Sequence, residues 1–350
     1  MTAAPALAPC SVYASPRWLE VQTRGGRPPG RVLTAPDASG APRAWLPLHD
    51  RVPTRNPRYA LATLCRGFPA PPPAARYVGL TSGYQTDIAT IAGADVLPAL
   101  VAEALALAPT LPVIVPYATD RLAQALRALA PGAPCVLEAG DAWLRATADS
   151  FPAWVAALPK FARQDVHRDE RKFAAAGLTE SVEPLAGEVA RFAELVSLHA
   201  HRYGLDEPVA ALTPHLAAIA EVFGDDALLF AARRGGRLVA AALGLVHGDH
   251  VYLRMVGNDH AEIGGSSAHF VLSFYRPLAW AIARGLAGLH LGLSADRTKR
   301  SRGAVIEPLW TVVLGALPAP VDAAAVSRAR LVAIAADDDA TADALAGRLA

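Results

Sequence analysis

Residues 250–303 read HVYLRMVGNDHAEIGGSSAHFVLSFYRPLAWAIARGLAGLHLGLSADRTKRSRG, and the order of elements in this stretch decides the fold. Apolar and polar residues alternate over 250–256, as in a strand. A loop over 257–267 contains Gly264-Gly265-Ser266-Ser267. A helical pattern follows over 268–285 and carries Pro277. A second strand is read over 289–293. Strand, loop, helix and strand in that order aim a helix N-terminus at a ligand beside a sheet. Paired glycines let backbone N–H groups come close to a phosphate or an oxyanion there. The same residues also fit an ordinary helix start with a serine cap. Beyond the second strand, Asp296-Arg297-Thr298-Lys299-Arg300-Ser301-Arg302-Gly303 forms a compact basic loop. Such a loop either meets an anionic ligand or is a solvated charged turn.

Working outward, 227–233, 237–246 and 250–256 are three strands joined by Gly235-Gly236 and His247-Gly248-Asp249, a spacing that predicts antiparallel hairpins. Upstream, 188–203 repeats Val189, Phe192, Val196, His199 and Tyr203 at helical spacing. Residues 153–176 read as one helix, basic on one side through Lys160, Arg163, Arg168, Arg171 and Lys172, and stopped at Gly177. The first 150 residues alternate strand and helix: a hairpin from 32–34 and 44–48, a proline-dense loop over 66–76, a strand at 77–80 and a helix over 95–107. A strand at 113–115, a helix over 122–129 and a strand at 135–137 follow. Downstream, 309–314 is a strand, and the tail adds a strand over 331–335 and a helix capped near Asp338. Both halves run strands, helix, strand, helix or loop, strand, a coarse internal echo.

Composition narrows the function. The chain has 350 residues, 33 Lys and Arg against 32 Asp and Glu, and 53% hydrophobic residues. Near-neutral charge excludes a histone-like polycation, and the apolar fraction excludes disorder. No run reaches the ~20 apolar residues of a membrane span. The N-terminus lacks a signal-peptide pattern, so a cytoplasmic location is expected. Cys10, Cys65 and Cys135 are too few and too scattered for a disulfide framework or a zinc site. Only Lys160, Lys172 and Lys299 are lysines. In so arginine-rich a chain, Lys299 stands out as a place where a point charge is wanted.

Other polar residues could line a cleft. Tyr252 and Arg254 alternate with Leu253 and Met255 on one strand, and His269 and Tyr275 follow on the helix, where His269 fits a hydrogen-bonded structural role. In the first half, Thr81-Ser82-Gly83-Tyr84-Gln85-Thr86-Asp87 follows a short strand, either as an acceptor site or as a plain turn. There is no HExxH, GxSxG or phosphate-loop motif, and nothing supports a metal.

Segment 227–314 resembles the Gcn5-related N-acetyltransferase (GNAT) superfamily, and more narrowly its Fem-type branch of peptidoglycan-bridge and aminoacyl transferases. The resemblance rests on Arg254-Met255-Val256-Gly257, Phe274-Tyr275, Arg284-Gly285, Leu291-Gly292 and the K-x-x-R-G run Lys299 to Gly303. Ala162-Arg163, Arg171-Lys172-Phe173, Gly177-Leu178 and the opening Ser15-Pro16-Arg17-Trp18-Leu19 add to it. The arginine- or glutamine-led pyrophosphate loop of the CoA enzymes is met only in part, because His260 and Glu262 precede Gly264-Gly265.

The resemblance implies an α/β (α+β) chain of tandem GNAT-like domains, each a mixed, mostly antiparallel sheet flanked by helices. The divisions expected are 1–150 on the acceptor side, 151–318 on the donor side and a tail over 319–350. It implies an acyltransferase that forms an amide on an amine-bearing small molecule or peptide, in cell-wall or natural-product biosynthesis. The expected donor is aminoacyl-tRNA as co-substrate, with no permanently bound cofactor and tRNA as a partner. An acyl-CoA-dependent N-acyltransferase and a non-catalytic RNA- or nucleotide-binding module remain as alternatives. Arg254, Tyr275 and Lys299 are the candidate catalytic residues. Gly264, Gly265, Ser266, Lys299, Arg302, Lys160 and Arg163 are the candidates for donor binding, and Ser82, Tyr84, Asp87 and Tyr252 for acceptor binding.

Overall fold

The computed structural model describes residues 10–26, 28–36, 42–50, 56–79, 83–90, 96–335 and 338–347. In chain order the elements are α1 (Pro16–Arg24), β1 (Arg31–Pro36), β2 (Pro42–His49), α2 (Leu61–Leu64), β3 (Arg76–Val78), β4 (Ala89–Thr90), α3 (Leu97–Leu107), β5 (Val113–Thr119), α4 (Asp120–Leu129) and β6 (Cys135–Arg145). Then come α5 (Phe151–Ala157), α6 (Lys160–Ala174), β7 (Thr179–Pro184), α7 (Val189–Arg202), α8 (Val209–Phe223), β8 (Ala227–Arg234), β9 (Arg237–His247) and β10 (His250–Asn258). The chain continues through α9 (His260–Ile263), α10 (Ala268–Phe270), a π-helical stretch Val271–Tyr275, α11 (Arg276–Ala283), β11 (Gly288–Leu293), α12 (Asp296–Arg300), β12 (Val305–Leu314), α13 (Ala323–Ala335) and α14 (Asp339–Ala346). Two compact units result, Met1–Asp141 with Glu307–Ala350, and Ala142–Ile306.

The first unit carries the strand order β1-β2-β3-β5-β12-β6, with β4 on β2. The pairs β1/β2 and β12/β5 are antiparallel and β3/β5 is parallel. Ser15 and Thr119 cap α1 and α4, their hydroxyl oxygens accepting from Trp18 N and Leu122 N. The C-terminal helices fold with this unit. Arg330 on α13 is buried and donates to Glu138 and to the Leu64 and Leu137 carbonyls, while the Thr311 hydroxyl donates to the same carboxylate. This network answers the need of buried charge for partners. The tail residues 331–335, read above as a strand, are the last turns of α13. Their β-branched, apolar composition suits either state, and the helix wins because Val326 and Arg330 bury on one face.

The second unit carries the order β6-β11-β10-β9-β8-β7, with the end of β6 (residues 142–145) as its first strand. The predicted hairpins are present: β8/β9 and β9/β10 are antiparallel, and Gly235 and Gly236 supply the positive φ values, +55° and +83°, of a tight turn. Residues 227–232 and 238–245 are buried throughout, so these strands are covered on both faces. Sequence reading gave one helix over 153–176 where there are two. Pro159 lacks an N–H and holds Leu158 extended (φ −67°, ψ 153°), ending α5 before α6 begins. Helix α8 and strand β7 were not anticipated, and Pro214 inside α8 masks its helical pattern. The basic loop after β11 contains a helical turn, α12.

Candidate active site

The second unit opens a fork between two strands. β10 and β11 are parallel and pair at only three positions: His250 with Gly288, Val251 with Leu289 and Tyr252 with His290. β10 then runs on for six residues to Asn258 and β11 for three to Leu293, without further pairing between them. A bulge at Arg254 shifts the β9/β10 register just beyond the fork point, since Leu253 faces Gly244 while Met255 faces Leu243. Bulges re-aim side chains and bend a strand away from its neighbour. Tyr252 sits at the fork point among rings, 5.8 Å from Trp143 and 5.2 Å from His290.

Strained backbone stands just before α10 and just after β11. Ser267 (φ +60°), Ser294 (φ +67°) and Ala295 (φ +56°) are left-handed, three of the four such non-glycine residues among those described. Left-handed serine and alanine persist only where surrounding contacts hold them. Asp169 of α6 provides such a contact for Ser267. Its Oδ1 accepts from the Ser267 hydroxyl at 3.0 Å, and its Oδ2 from the Tyr275 hydroxyl at 2.9 Å and from Arg302 Nη2 at 3.1 Å. Arg302 also donates from Nη1 to the Thr298 carbonyl and lies 3.5 Å above the Phe270 ring. Burial and the adjoining Asp169 carboxylate push the Tyr275 phenol upward, so it stays protonated and donates. The π-helical stretch Val271–Tyr275 delivers that phenol, and the Ser273 hydroxyl closes back onto the His269 carbonyl within it.

Lys299 is buried, and its Nζ donates to the Gly292 and Leu293 carbonyls at 2.7 and 3.0 Å. The ammonium thus satisfies the carbonyls at the end of the strand that leaves the fork. Arg163 similarly donates to the Ala156 and Leu158 carbonyls, while Lys160 is exposed at the start of α6. Gly264 and Gly265 are exposed and Ser266 is buried. All three line an open cleft of about 390 Å³, together with Lys172 and Arg234. Two amides of that turn are already used: Gly264 N donates to the His260 carbonyl and Ser266 N to the Ile263 carbonyl. The Glu262 carboxylate lies 3.5 Å from Arg234.

A histidine cluster stands at the end of β10. Asn258, fully buried, donates from Nδ2 to His199 Nδ1 at 3.1 Å and to His269 Nδ1 at 3.3 Å, and His260 Nε2 lies 3.2 Å from His199 Nδ1. Gly257 makes this possible, because a Cβ there would lie 2.7 Å from Leu195 Cβ and 2.8 Å from Val196 N of α7. Burial, followed by its histidine neighbours, lowers His199 and His269 to about 4. His260 is also lowered, first by burial.

In the first unit, Asp87 accepts from Arg121 Nη2 at 2.6 Å and from Ser11 N at 3.3 Å, and the Tyr84 ring packs edge-on against Tyr13 at 5.5 Å. Ser82 lies outside the described residues. Burial drives Cys10 and Cys135 to about 12 and Cys65 to about 11, so no thiolate nucleophile is offered. Among the described residues no cluster could hold a metal ion, and no helix is long and apolar enough to cross a membrane.

The structure thus joins Tyr275, Arg302 and Ser267 through Asp169, with Lys299 tied to β11, and it brings the basic helix and the basic loop together. Asp169, Asn258, His199 and His260 were missed as site residues. The available signal was an acid on the apolar stripe of a basic helix: Asp169 falls in helical register with Ala162, Val166 and Phe173, all buried.

The FemAB-like family, described as peptidoglycan biosynthesis and recognition, matches residues 117–316, more than half of the chain. The chain therefore belongs to that family. Its fold is similar to that of FemX (TM-score 0.57, 12% identity, 86% of this chain and 92% of that one) and of L-PGS from Bacillus licheniformis (TM-score 0.55, 14% identity, 92% and 98%). It is also similar to the C-terminal domain of a protein described as a lysylphosphatidylglycerol synthetase from Agrobacterium fabrum (TM-score 0.52, 13% identity, 90% and 91%). A comparison with curated protein sequences gave no match.

Proposed function

We propose that this FemAB-like chain transfers an aminoacyl group from aminoacyl-tRNA to the amine of a peptide or lipid-linked acceptor, forming an amide. One observation carries the choice of donor. The turn where a CoA pyrophosphate would need open amides has Gly264 N and Ser266 N donated internally and presents the Glu262 carboxylate, whereas exposed cations line α6. A polyanion held along a surface suits that arrangement better than a pyrophosphate held in a nest. The Lys172 and Arg234 side chains in the 264–266 cleft keep the acyl-CoA donor as the second reading.

The chemistry asks little of the protein. An activated ester needs a neutral amine and a held carbonyl. Alignment can supply roughly 7–11 kcal/mol and one oxyanion donor roughly 3–4 kcal/mol. In this reading the fork beyond Tyr252 receives the acyl ester, with Arg254 at the bulge facing the donor. Tyr275, Arg302 and Lys299 are positioning residues that fix the ends of β10 and β11. Lys160, Gly264, Gly265 and Ser266 meet the donor, and Arg163 steadies the α5–α6 corner. Tyr252, at the fork point, is the residue offered to the acceptor.

The test is incubation with a radiolabelled charged tRNA pool or with labelled acetyl-CoA, each with and without ribonuclease, scored for label in amide linkage. Ribonuclease-sensitive transfer from tRNA is expected. Transfer from acetyl-CoA alone moves the assignment to the second reading, and binding without any turnover removes both.

A further inference from the structure

The outer face of α6 has a composition that neither the fold nor the fork requires. Its exposed residues are Lys160, Phe161, Gln164, His167, Arg168, Arg171, Lys172, Ala174 and Ala175, with no acid among them. At ~100° per residue, all of these but Ala174 fall within an arc of roughly 140°. Asp165 and Glu170 lie to either side, and each is engaged, with Arg168 at 2.7 Å and Arg276 at 2.7 Å. Among the described residues no carboxylate pairs with Lys160, Arg171 or Lys172. Phe161 is 80% exposed, the most exposed large apolar side chain described. A phenyl ring left in water between cations contributes nothing to a core and fits a face that stacks on a planar ligand. The strip also has a direction. From Lys160 to Lys172 it runs about 18 Å along the helix, and Lys172 lines the cleft with Gly264, Gly265 and Ser266.

We propose that the outer face of α6 is the track for a single-stranded RNA end, with a base stacked on Phe161 and the phosphates following Lys160, Arg168, Arg171 and Lys172 along the helix. The inference rests on the tRNA-donor reading and adds where that RNA lies and what holds it. Charge complementarity selects a polyanion, and the exposed ring selects unpaired bases over a duplex, whose bases are already stacked on each other.

The experiment is fluorescence anisotropy of the full chain with a labelled single-stranded 12-nucleotide RNA ending in ACCA, with the same RNA in duplex form, and with phosphatidylglycerol vesicles in a sedimentation arm. The single strand is expected to bind more tightly than the duplex. Phe161→Ala is expected to weaken it roughly 5- to 100-fold, with Phe161→Trp restoring binding. Lys160→Ala is expected to lower the magnitude of the salt slope by about 0.7. Phe161 is exposed, so these variants keep the parent melting temperature, and a variant that does not is replaced by Phe161→Ser. RNA binding unchanged in Phe161→Ala overturns the α6 track and leaves the tRNA reading in place. Absence of RNA binding by the parent overturns both, and vesicle binding that depends on Phe161, with RNA binding that does not, overturns the track alone and assigns the strip to a lipid surface.

Discussion

Arg302 and Asp169 are 133 residues apart in sequence and 3.1 Å apart in space, both buried, with the Tyr275 hydroxyl on the same carboxylate oxygen. One carboxylate therefore holds a basic loop, a π-helical stretch and the left-handed Ser267 in a single arrangement. Asp169→Asn keeps the volume and removes the charge, leaving the Arg302 guanidinium buried without its counter-ion. A stability loss of about 3–5 kcal/mol is expected in urea unfolding. A loss under 1 kcal/mol would show that the pair does not organise the site.

Lys299 separates two roles. Sequence reading expects Lys299→Ala to abolish transfer with an unchanged melting temperature, as a pure donor ligand would behave. Two charge-assisted bonds to the Gly292 and Leu293 carbonyls instead predict a stability loss of roughly 2–3 kcal/mol along with the activity. Thermal unfolding of Lys299→Ala and Lys299→Met decides between them.

The histidine cluster predicts an acid limb in stability. His199 and His269 are held neutral to about 4 in the folded chain, against an ordinary 6.5 when unfolded. Arg202 and Arg302 face the cluster and oppose its charging, while Asp259 favours the charge on His260. The unfolded state then binds protons that the folded state refuses. Stability is full above about pH 6.5 and falls as the pH drops toward 4. Urea midpoints between pH 7.5 and 4.5 should show that slope, and His269→Gln should flatten it.

Gly257 tests the closeness of α7 to β10. A methyl group there meets Leu195 Cβ at 2.7 Å and the Val196 backbone at 2.8 Å, neither of which can swing aside. Gly257→Ala is expected to cost about 1–3 kcal/mol, and to displace His199 from Asn258, visible as a shifted histidine titration in NMR.

The second half of the fold was legible because its signals are local. Gly235-Gly236 and Gly248 punctuate three alternating strands, and β11 follows its helix at the expected distance. The fork was not legible, since where β10 stops pairing with β11 is a matter of register between strands 38 residues apart at Tyr252 and His290, with the relevant pairing set by tertiary contacts. Asp169 was hidden because the cations around it made α6 look like a surface helix on all sides, although its place in line with Val166 and Phe173 marked it as inward-facing. Lys299 drew attention by its rarity, and rarity says nothing about whether a cation meets a ligand or a strand end. Helix α8, apolar around most of its girth and interrupted by Pro214, offered no amphipathic stripe to read.

The five residues Val271–Tyr275 wind more widely than the turns on either side. Such a stretch amounts to one codon more than a regular helix would use. Dropping any one of the first four of those codons would tighten the coil and swing the Tyr275 ring by about 100° away from α6. A frame-preserving triplet loss there would part the Tyr275 hydroxyl from Asp169, a lesion of a kind that a scan of point substitutions does not sample.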